Sequence, residues 1–300
     1  MKKRRIWLII ALSCMIFGFT LFVIGMSKVN WDFKKLDSRQ FETNDYEIVD
    51  KFDNISIDAD TANIDFRLST DGKCKVVCYE NKKEKHNTCV VNDVLTIKCI
   101  NEKKWYDHLT FGFNNPQITV YLPNVEYKKL TIEVSTGDIK IESDFTFESI
   151  SISGSTSDVN CYASTIKQTK IHLNTGDICI ENTNAESYDL HVSTGEIKMN
   201  SVNCKNIVTT GSTGDIKLNN VLASEKISIK RSTGDVELYK CDANELVITT
   251  STGDVEGSLL SDKEFIIKTS TGDIDVPSSL PGGKCQVTTF TGDVELKIVN

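Results

Sequence analysis

Apolar and polar residues alternate with period two through most of the chain, and after residue 125 this pattern returns every 19 to 20 residues. Each repeat has one alternating run before a Ser-Thr-Gly-Asp motif and another after it. Ile227 and Ile229, for example, precede Gly234, and Val236 and Leu238 follow it. Alternation with period two predicts β-strands with one buried face. Beyond the apolar N-terminal segment no window has a sustained helical period, so we predict an all-β domain.

The Ser-Thr-Gly-Asp motif sets the length of the repeat. A degenerate copy carries Ser157 in place of glycine, and successive motif positions are 20, 19, 19, 19, 20, 19, 19 and 20 residues apart. The glycines are Gly137, Gly176, Gly195, Gly214, Gly234, Gly253, Gly272 and Gly292. So narrow a period is typical of a stacked array. We predict a parallel β-solenoid with coils of 19–20 residues, right-handed by the general preference of parallel crossovers. A β-sandwich of hairpins is the alternative.

The two alternating runs of each repeat differ in parity, which an uninterrupted strand would have kept. The motif therefore predicts a corner that resets the inward direction, and glycine supplies the positive φ that such a corner needs. The pattern appears once earlier in the chain, with Ile55 and Ile57 before Ala62 and Ile64 and Phe66 after it. We therefore predict that the first coil begins near residue 53.

An uncharged run at residues 6–25 is long enough to cross the roughly 30 Å hydrocarbon core of a membrane. Four basic residues precede it, which predicts a signal anchor with residues 1–5 in the cytoplasm. A cleaved signal peptide, or a lipoprotein cleavage box at Cys14, are the alternatives. We divide the rest into a connector at 26–44, an N-terminal β region at 45–124 that caps the solenoid, and the repeat region at 125–300.

The net charge is −8, and lysine and arginine form no stripe with interleaved aromatic residues, which argues against nucleic-acid binding. The chain has ten cysteines, nine of them beyond the predicted membrane span. For an exported protein this number favours disulfides, but uneven spacing favours free thiols, and both interpretations stay open. Cys161 falls on a predicted core position, where a thiol serves as a small apolar residue.

An acidic residue follows the motif position in every repeat, and in register these acids would form a ladder of like charges. We expect that they accept backbone N–H bonds within each corner, as in Asx turns. Threonine, present before the motif position in every repeat, would form a parallel hydroxyl ladder.

Four C-terminal repeats carry a second acid two residues after the first, whereas earlier repeats carry Lys140, Lys198 and Lys217 at that place. The resulting strip consists of Asp235, Glu237, Asp254, Glu256, Asp273, Asp275, Asp293 and Glu295. Carboxylate oxygens suit Ca²⁺, so one hypothesis is a low-affinity cation site or a surface that faces a polycation. The alternative is a solvated face that prevents aggregation. No other cofactor is predicted.

No Ser/His/Asp or Cys/His grouping indicates catalysis, and the carboxylates repeat with the coil rather than break its pattern. His172 and His191 each lie four residues before a motif position, so they should stack and could share a metal. Arg231 occupies a position that is apolar in other repeats and indicates a local distortion. The aromatic segment at residues 105–113 is interpreted as a cap of the first coil, with an interaction loop as the alternative.

The succession of ITVYLP, KLTIEVSTGDIKI and repeated STGDI resembles the bacterial putative-adhesin domain family of unknown function, to which LiaG-like envelope-stress proteins are similar. The resemblance covers about residues 48–300. It implies a β-helical exported domain associated with the cell envelope, and it supplies no ligand and no catalytic residues.

We therefore expect a non-catalytic, single-pass membrane protein that displays an acidic β-solenoid outside the cell. Its membrane contact would be residues 6–25, and its partner would be an envelope protein or a wall polymer. Within this class it would act as an adhesin-like module or as an envelope-stress accessory. An extracytoplasmic enzyme acting on polysaccharides is the alternative, because β-helices also carry such activities.

Overall fold

The computed structural model describes residues 2–32, 40–101 and 115–299. Helix α1 comprises Lys2–Lys28, and its part Ile6–Lys28 is long and apolar enough to cross a membrane. The helix therefore extends on both sides of the predicted span. The first strand begins at Phe41, four residues before the expected start of the β region.

The remaining elements are all strands. They are β1 (Phe41–Ile48), β2 (Asn54–Thr61), β3 (Asn63–Leu68), β4 (Cys74–Asn81), β5 (Glu84–Val91), β6 (Val94–Asn101), β7 (Gln117–Leu122), β8 (Glu126–Thr136), β9 (Ile139–Ile141), β10 (Thr146–Thr156), β11 (Val159–Cys161), β12 (Ser164–Thr175), β13 (Ile178–Glu181), β14 (Ser187–Thr194), β15 (Ile197–Thr213), β16 (Ile216–Lys230), β17 (Val236–Thr249), β18 (Val255–Leu259), β19 (Lys263–Lys268), β20 (Ile274–Asp275), β21 (Gly283–Thr288) and β22 (Val294–Ile298).

Parallel pairing between successive repeats builds the solenoid predicted from the sequence. Strands β8, β10, β12 and β14 pair in order on one side of the corner, and β9, β11, β13 and β15 pair in order on the other. No hairpin joins the two strands that flank a corner, so the β-sandwich alternative is wrong.

The core lies inside the coils and consists of columns of apolar side chains, one from each repeat. Ile132, Ile152, Ile171 and Leu190 are register neighbours and are fully buried. The residues after the corner form a second column, which includes Ile139, Val159, Ile178, Ile197, Ile216, Val236 and Val255. Each column removes apolar surface from water along the whole stack, which is the main stabilising contribution of a solenoid.

The coils at the C-terminal end do not stack in sequence order. Strands β17 and β18 pair with β21 and β22, and these in turn pair with β19 and β20. The last coil in sequence is therefore inserted between its two predecessors, and the coil of β19 and β20 ends the stack. The repeat pattern by itself does not specify this order.

The N-terminal end has the same kind of inversion. Strand β2 lies between β6 and β8, and β3 lies between β7 and β9, all in parallel register. The coil of β6 and β7 thus lies outside the first coil in sequence. Antiparallel strands then extend the outer layer, because β5 pairs with β6 on one side and β1 pairs with β4, which pairs with β7, on the other.

Candidate binding surfaces on the outer face

The corners place the motif residues at one edge of the stack. All eight motif glycines have φ between +121° and +149°, a region that favours glycine. The backbone of the neighbouring coil also approaches closely, since a Cβ atom on Gly253 would lie 2.1 Å from the carbonyl oxygen of Gly234. The amide of Gly253 donates to Thr291 O at 3.0 Å. Glycine is thus required by both the dihedral angle and the contact between coils.

The motif acids form a hydrogen-bonded ladder between coils. Asp158 Oδ1 accepts the backbone N–H of Asp177 at 2.8 Å, and Asp177 Oδ1 accepts that of Glu196 at 2.7 Å. The bonds therefore run to the next coil, and the expectation that they lie within one corner is wrong. Each negative charge gains a charge-assisted hydrogen bond, which offsets the repulsion between neighbouring acids.

The ladder continues through the inverted C-terminal coils in stacking order. Asp254 N–H donates to Asp235 Oδ1 at 2.9 Å, Asp293 N–H to Asp254 Oδ1 at 2.8 Å, and Asp273 N–H to Asp293 Oδ1 at 2.7 Å. The geometry is the same at each step, although the sequence separations are 19, 39 and 20 residues. The motif therefore allows any coil with the same corner geometry to stack on it, whether or not that coil is the next one in the sequence.

A glutamate interrupts the ladder at Glu196. In the part of the chain that the structure describes, its carboxylate forms no bond with the N–H of Asp215; it lies 3.4 Å from Lys217 Nζ instead. Lys217 also contacts Glu237 at 3.3 Å, so one lysine joins the carboxylates of two coils. These ion pairs raise the pKa of Lys217.

The residues two positions after the ladder acids form a second, outward-facing row, which we call the outward row; it contains the second acids of the strip and, in earlier coils, lysines. In stacking order the row comprises Lys198, Lys217, Glu237, Glu256, Glu295 and Asp275. Lys217 neutralises Glu237, whereas Glu256, Glu295 and Asp275 are exposed and have no ion pair within the described residues. The charge of the row therefore changes from positive to negative towards the C-terminal end of the stack.

The strip does not form a preassembled metal site. Oδ1 of Asp235, Asp254 and Asp293 is already occupied by a backbone N–H. In residues 2–32, 40–101 and 115–299, a single group of three metal-type ligands has its atoms within 4.8 Å of one another, and it lies elsewhere. Low-affinity Ca²⁺ binding at the strip stays a prediction, in which the free oxygens and the second acids would supply the ligands.

A polar groove of about 480 Å³ lies over the strands that precede the corners, where Gly154 and neighbouring serines line it. Asp58 and Glu133, which are register neighbours, and the two stacked histidines line it. The rings of His172 and His191 lie 5.6 Å apart. They are adjacent as predicted, but His191 Nδ1 lies 2.8 Å from Thr210 Oγ1 and its Nε2 lies 3.3 Å from Ser193 Oγ, so neither nitrogen faces a shared metal.

Partial burial, and to a smaller extent the neighbouring His172, lowers the pKa of His191. A base with a lowered pKa is neutral in the folded protein near pH 7. The groove therefore carries carboxylates and a neutral imidazole, which are groups that bind sugars or polar headgroups by hydrogen bonds.

Arg231 is a buried connection across three coils. Its Nη1 donates to Val192 O at 2.9 Å and its Nη2 donates to Gly195 O at 3.2 Å. The side chain passes the intervening coil at Gly211, where a Cβ atom would lie 1.9 Å from Nη1. Arg231 therefore interrupts the apolar pattern because its side chain links its own coil to the coil that carries Val192 and Gly195. Gly211, in the coil between them, leaves the space that the guanidinium occupies.

No disulfide joins any of the ten cysteines, all of which lie within the described residues. Cys161 is buried as predicted, and burial raises its pKa to about 12. Such a thiol behaves as a small apolar residue with little nucleophilic thiolate. The aromatic segment at residues 105–113 lies outside the described residues.

Two polar clusters were missed by the sequence analysis. Lys263, which is 2% exposed, donates to Asp242 and Ser261 near the C-terminal end of the stack. Glu80 and His86 form a buried pair in the N-terminal region. Lys263 could have been found from the sequence, because it occupies an inward position of the alternating pattern where an apolar residue is expected. The N-terminal strands have no clear repeat, so inward positions could not be assigned there.

The fold and its surface define a class of protein, a parallel β-solenoid with a hydrogen-bonded corner ladder and a candidate membrane helix at its N-terminus. The chain belongs to the Toastrack DUF4097 family, whose profile matches residues 52–240 and 191–300. This confirms the family resemblance predicted from the sequence. No curated protein matches the chain.

Solved structures with a TM-score of 0.50 or more share the fold at low sequence identity. A putative lipid binding protein from Parabacteroides distasonis is 15% identical, with 88% of this chain and 98% of that chain covered and a TM-score of 0.53. A putative adhesin from Parabacteroides merdae is 13% identical, with the same coverage and a TM-score of 0.50. A putative adhesin from Bacteroides fragilis is 17% identical, with 88% and 99% covered and a TM-score of 0.45.

Proposed function

We propose that this protein is a single-pass membrane protein whose solenoid lies outside the cell and acts by binding, without catalysis. Helix α1 would be the anchor, because Ile6–Lys28 can span a membrane and basic residues precede it. The names of the fold relatives, adhesin and lipid binding protein, accord with a binding role. An adhesin-like module and an envelope-stress accessory are the two forms of this proposal.

The observation that carries the proposal is the unneutralised end of the outward row. Glu256, Glu295 and Asp275 belong to adjacent coils, so their charges repeat at about 4.8 Å, the spacing of neighbouring strands. Fixed carboxylates at this spacing favour a cationic protein surface, or a wall polymer joined through divalent cations. If the face were only a solvated surface, its charge would serve to prevent edge association.

The test measures binding of the full-length protein, purified in detergent, to isolated wall polymer with and without millimolar CaCl₂. We expect calcium-dependent retention that falls at least tenfold in the variant Glu256→Gln/Glu295→Gln/Asp275→Asn. The matched control neutralises three acids that form exposed ion pairs elsewhere, outside both the row and the groove: Asp53, Glu148 and Glu186. An equal loss of binding in both variants, relative to the wild type, would show that the net charge of the protein is responsible and not the position of the acids in the row. No retention of the wild type would exclude the wall-polymer form of the proposal.

A second candidate, an enzyme acting on extracytoplasmic polysaccharide, is favoured by the groove with Asp58, Glu133 and His172. Paired carboxylates flanking a cleft are the groups that glycoside hydrolysis requires. Release of reducing sugar from wall polysaccharide, abolished by Glu133→Gln and retained in Glu256→Gln, would support it. Absence of release from a panel of such polymers would leave the groove a binding surface.

A further inference from the structure

The hairpin of β4 and β5 brings three ligand-type side chains together in the outermost N-terminal layer. Cys78 and Glu80 are two residues apart on β4 and therefore share one face of the strand. His86 lies on β5, after the turn that joins the two strands. The hairpin opens beyond the pair Asn81 and Glu84, since β4 then pairs with β1 and β7 while β5 pairs with β6. The three side chains lie where the two strands separate.

The cluster is fully enclosed. Cys78 and Glu80 are 0% exposed and His86 is 2% exposed. One ligand atom from each, the thiol sulfur, a carboxylate oxygen and a ring nitrogen, lies within 4.8 Å of the other two. Enclosure of an ionisable triad is costly in free energy unless its charges are paired or bound to a metal.

Hydrogen bonds hold Glu80 and His86 in place and determine which ring nitrogen of His86 faces the cluster. Glu80 Oε2 lies 2.7 Å from His86 Nδ1 and accepts the backbone N–H of His86 at 2.6 Å. Asn44 Nδ2 donates to Glu80 Oε1 at 2.7 Å. His86 Nε2 is buried and has no hydrogen-bond partner among the described residues. It points away from Glu80, whose Oε2 faces Nδ1, so the nitrogen available to a metal ion shared with Glu80 and Cys78 is Nδ1. Such an ion would take the place of the proton in the hydrogen bond between Nδ1 and Oε2, and Nε2 would stay outside the ligand set.

We propose that Cys78, Glu80 and His86 bind one divalent transition-metal ion of the zinc class. Sulfur, imidazole nitrogen and carboxylate oxygen are the three ligand types that Zn²⁺ takes in proteins. A thiolate and a carboxylate carry two negative charges, so a dication gives a neutral buried site. Cys99 lies directly opposite His86 in the β5–β6 register and is the nearest candidate for a fourth ligand. The proposal is independent of the acidic strip, whose ligands are oxygens only.

The experiment titrates Co²⁺, as a spectroscopic probe, into the full-length protein purified in detergent under reducing conditions and stripped of metal. We expect one Co²⁺ per chain, a near-ultraviolet thiolate-to-cobalt absorption band, and displacement of the band by Zn²⁺. Cys78→Ser should lose the band and bind at least ~100-fold more weakly, as expected when a ligand is removed. The matched control Cys161→Ser, which removes another buried thiol, should bind as the wild type does.

Several outcomes would overturn the site. They are no uptake by the wild type, a band of equal strength in Cys78→Ser, or a band lost equally in Cys161→Ser. Circular dichroism of each variant shows whether it is folded. If Cys78→Ser unfolds, Glu80→Gln, which keeps the shape of the side chain, replaces it; the band should then persist but Co²⁺ should bind more weakly, and unchanged affinity would overturn the site. On the unaltered chain, one equivalent of Zn²⁺ should raise the melting temperature, whereas one equivalent of Ca²⁺, too little to occupy the low-affinity strip, should not. Equal effects of both ions would assign the stabilisation to the surface carboxylates.

Discussion

At the residue scale, the repeated motif has separate structural roles for its members. Glycine permits the close approach of two coils, threonine accepts the glycine N–H of a neighbouring coil through its carbonyl, and aspartate accepts the next N–H through its side chain. The three roles explain why the residues recur together. None of them requires a ligand, so the ladder is a structural device whether or not the strip binds cations.

Gly253→Ala tests the requirement for glycine at a corner. The new Cβ would lie 2.1 Å from Gly234 O at a φ of +143°, so both dihedral strain and a backbone clash arise. Gly72→Ala is the control, because its φ is +72° but no atom lies within 4 Å of the new Cβ. We expect the control to lose about 1–2 kcal/mol of unfolding free energy from strain and Gly253→Ala to lose at least about twice as much. Equal losses in urea denaturation would contradict the role of close contact.

Arg231→Ala tests the buried cross-link between coils. Removing the guanidinium leaves Val192 O and Gly195 O without this donor, at about 1–3 kcal/mol for each buried group that stays unpaired. We therefore expect a loss of about 2–5 kcal/mol in urea denaturation. Arg67→Ala is the matched control, since Arg67 is half exposed and its ion pair with Asp65 should contribute at most about 1 kcal/mol. A similar small loss at Arg231 would contradict the cross-link.

At the scale of elements, the repeat period was sufficient to predict the strands, their parallel stacking and the columns of the core. The order of the terminal coils could not be predicted. The C-terminal coils present the same alternation, the same corner and the same ladder, so Asp254 can pair with Asp293 in the geometry that it would offer to Asp273. We attribute the stacking order of the terminal coils to the segments that connect the coils, because the repeated pattern is the same in each of them.

Hydrogen exchange tests the inverted C-terminal order. Strand β22 is paired on both sides, with β18 and β20, although it is the last strand of the chain. In a sequential stack the last coil would fray first. We expect the amides of Val294 and Leu296 to exchange more slowly than that of Ile274 in β20. Faster exchange in β22 would contradict the insertion.

Prediction of the candidate surfaces depended on the same repetition. The strip of acids and the stacked histidines were found because they lie at fixed offsets from the motif. Glu80 and His86 were missed because the N-terminal strands pair in both directions and follow no period. Their association depends on a hairpin that opens between two layers, which local alternation does not specify.

At the scale of the whole molecule, continuous columns of core residues couple the coils to one another. A solenoid has only nearest-neighbour contacts, so it can open from an unprotected end. Here the first and the last coil in sequence each lie between two others. We therefore expect the stack to open cooperatively and not coil by coil.

Alkylation of buried thiols tests this cooperativity. Cys161 lies mid-stack, whereas Cys241 and Cys285 lie nearer its C-terminal end, and burial raises their pKa values to about 12, 11 and 12. Native thiols of this kind should therefore react only after the stack opens, so at pH 8 they should alkylate at least ~100-fold more slowly than the thiols of the unfolded chain. If opening is cooperative, the three sites should also react at one common rate. Half-buried Cys179 is the control and should react faster. Peptide mass spectrometry measures each site, and three different rates would indicate opening by separate coils.

The insertion of the first coil also affects how the molecule responds to mechanical load. Tension on the N-terminal helix passes along the chain through β1 and then reaches β2, which is hydrogen-bonded along both edges to β6 and β8. A strand held on both edges resists extraction with many bonds loaded at once, whereas a strand at the end of a stack would peel away one bond at a time. If helix α1 is the membrane anchor proposed above, the inserted first coil would hold the stack together while the domain is pulled from its N-terminal side.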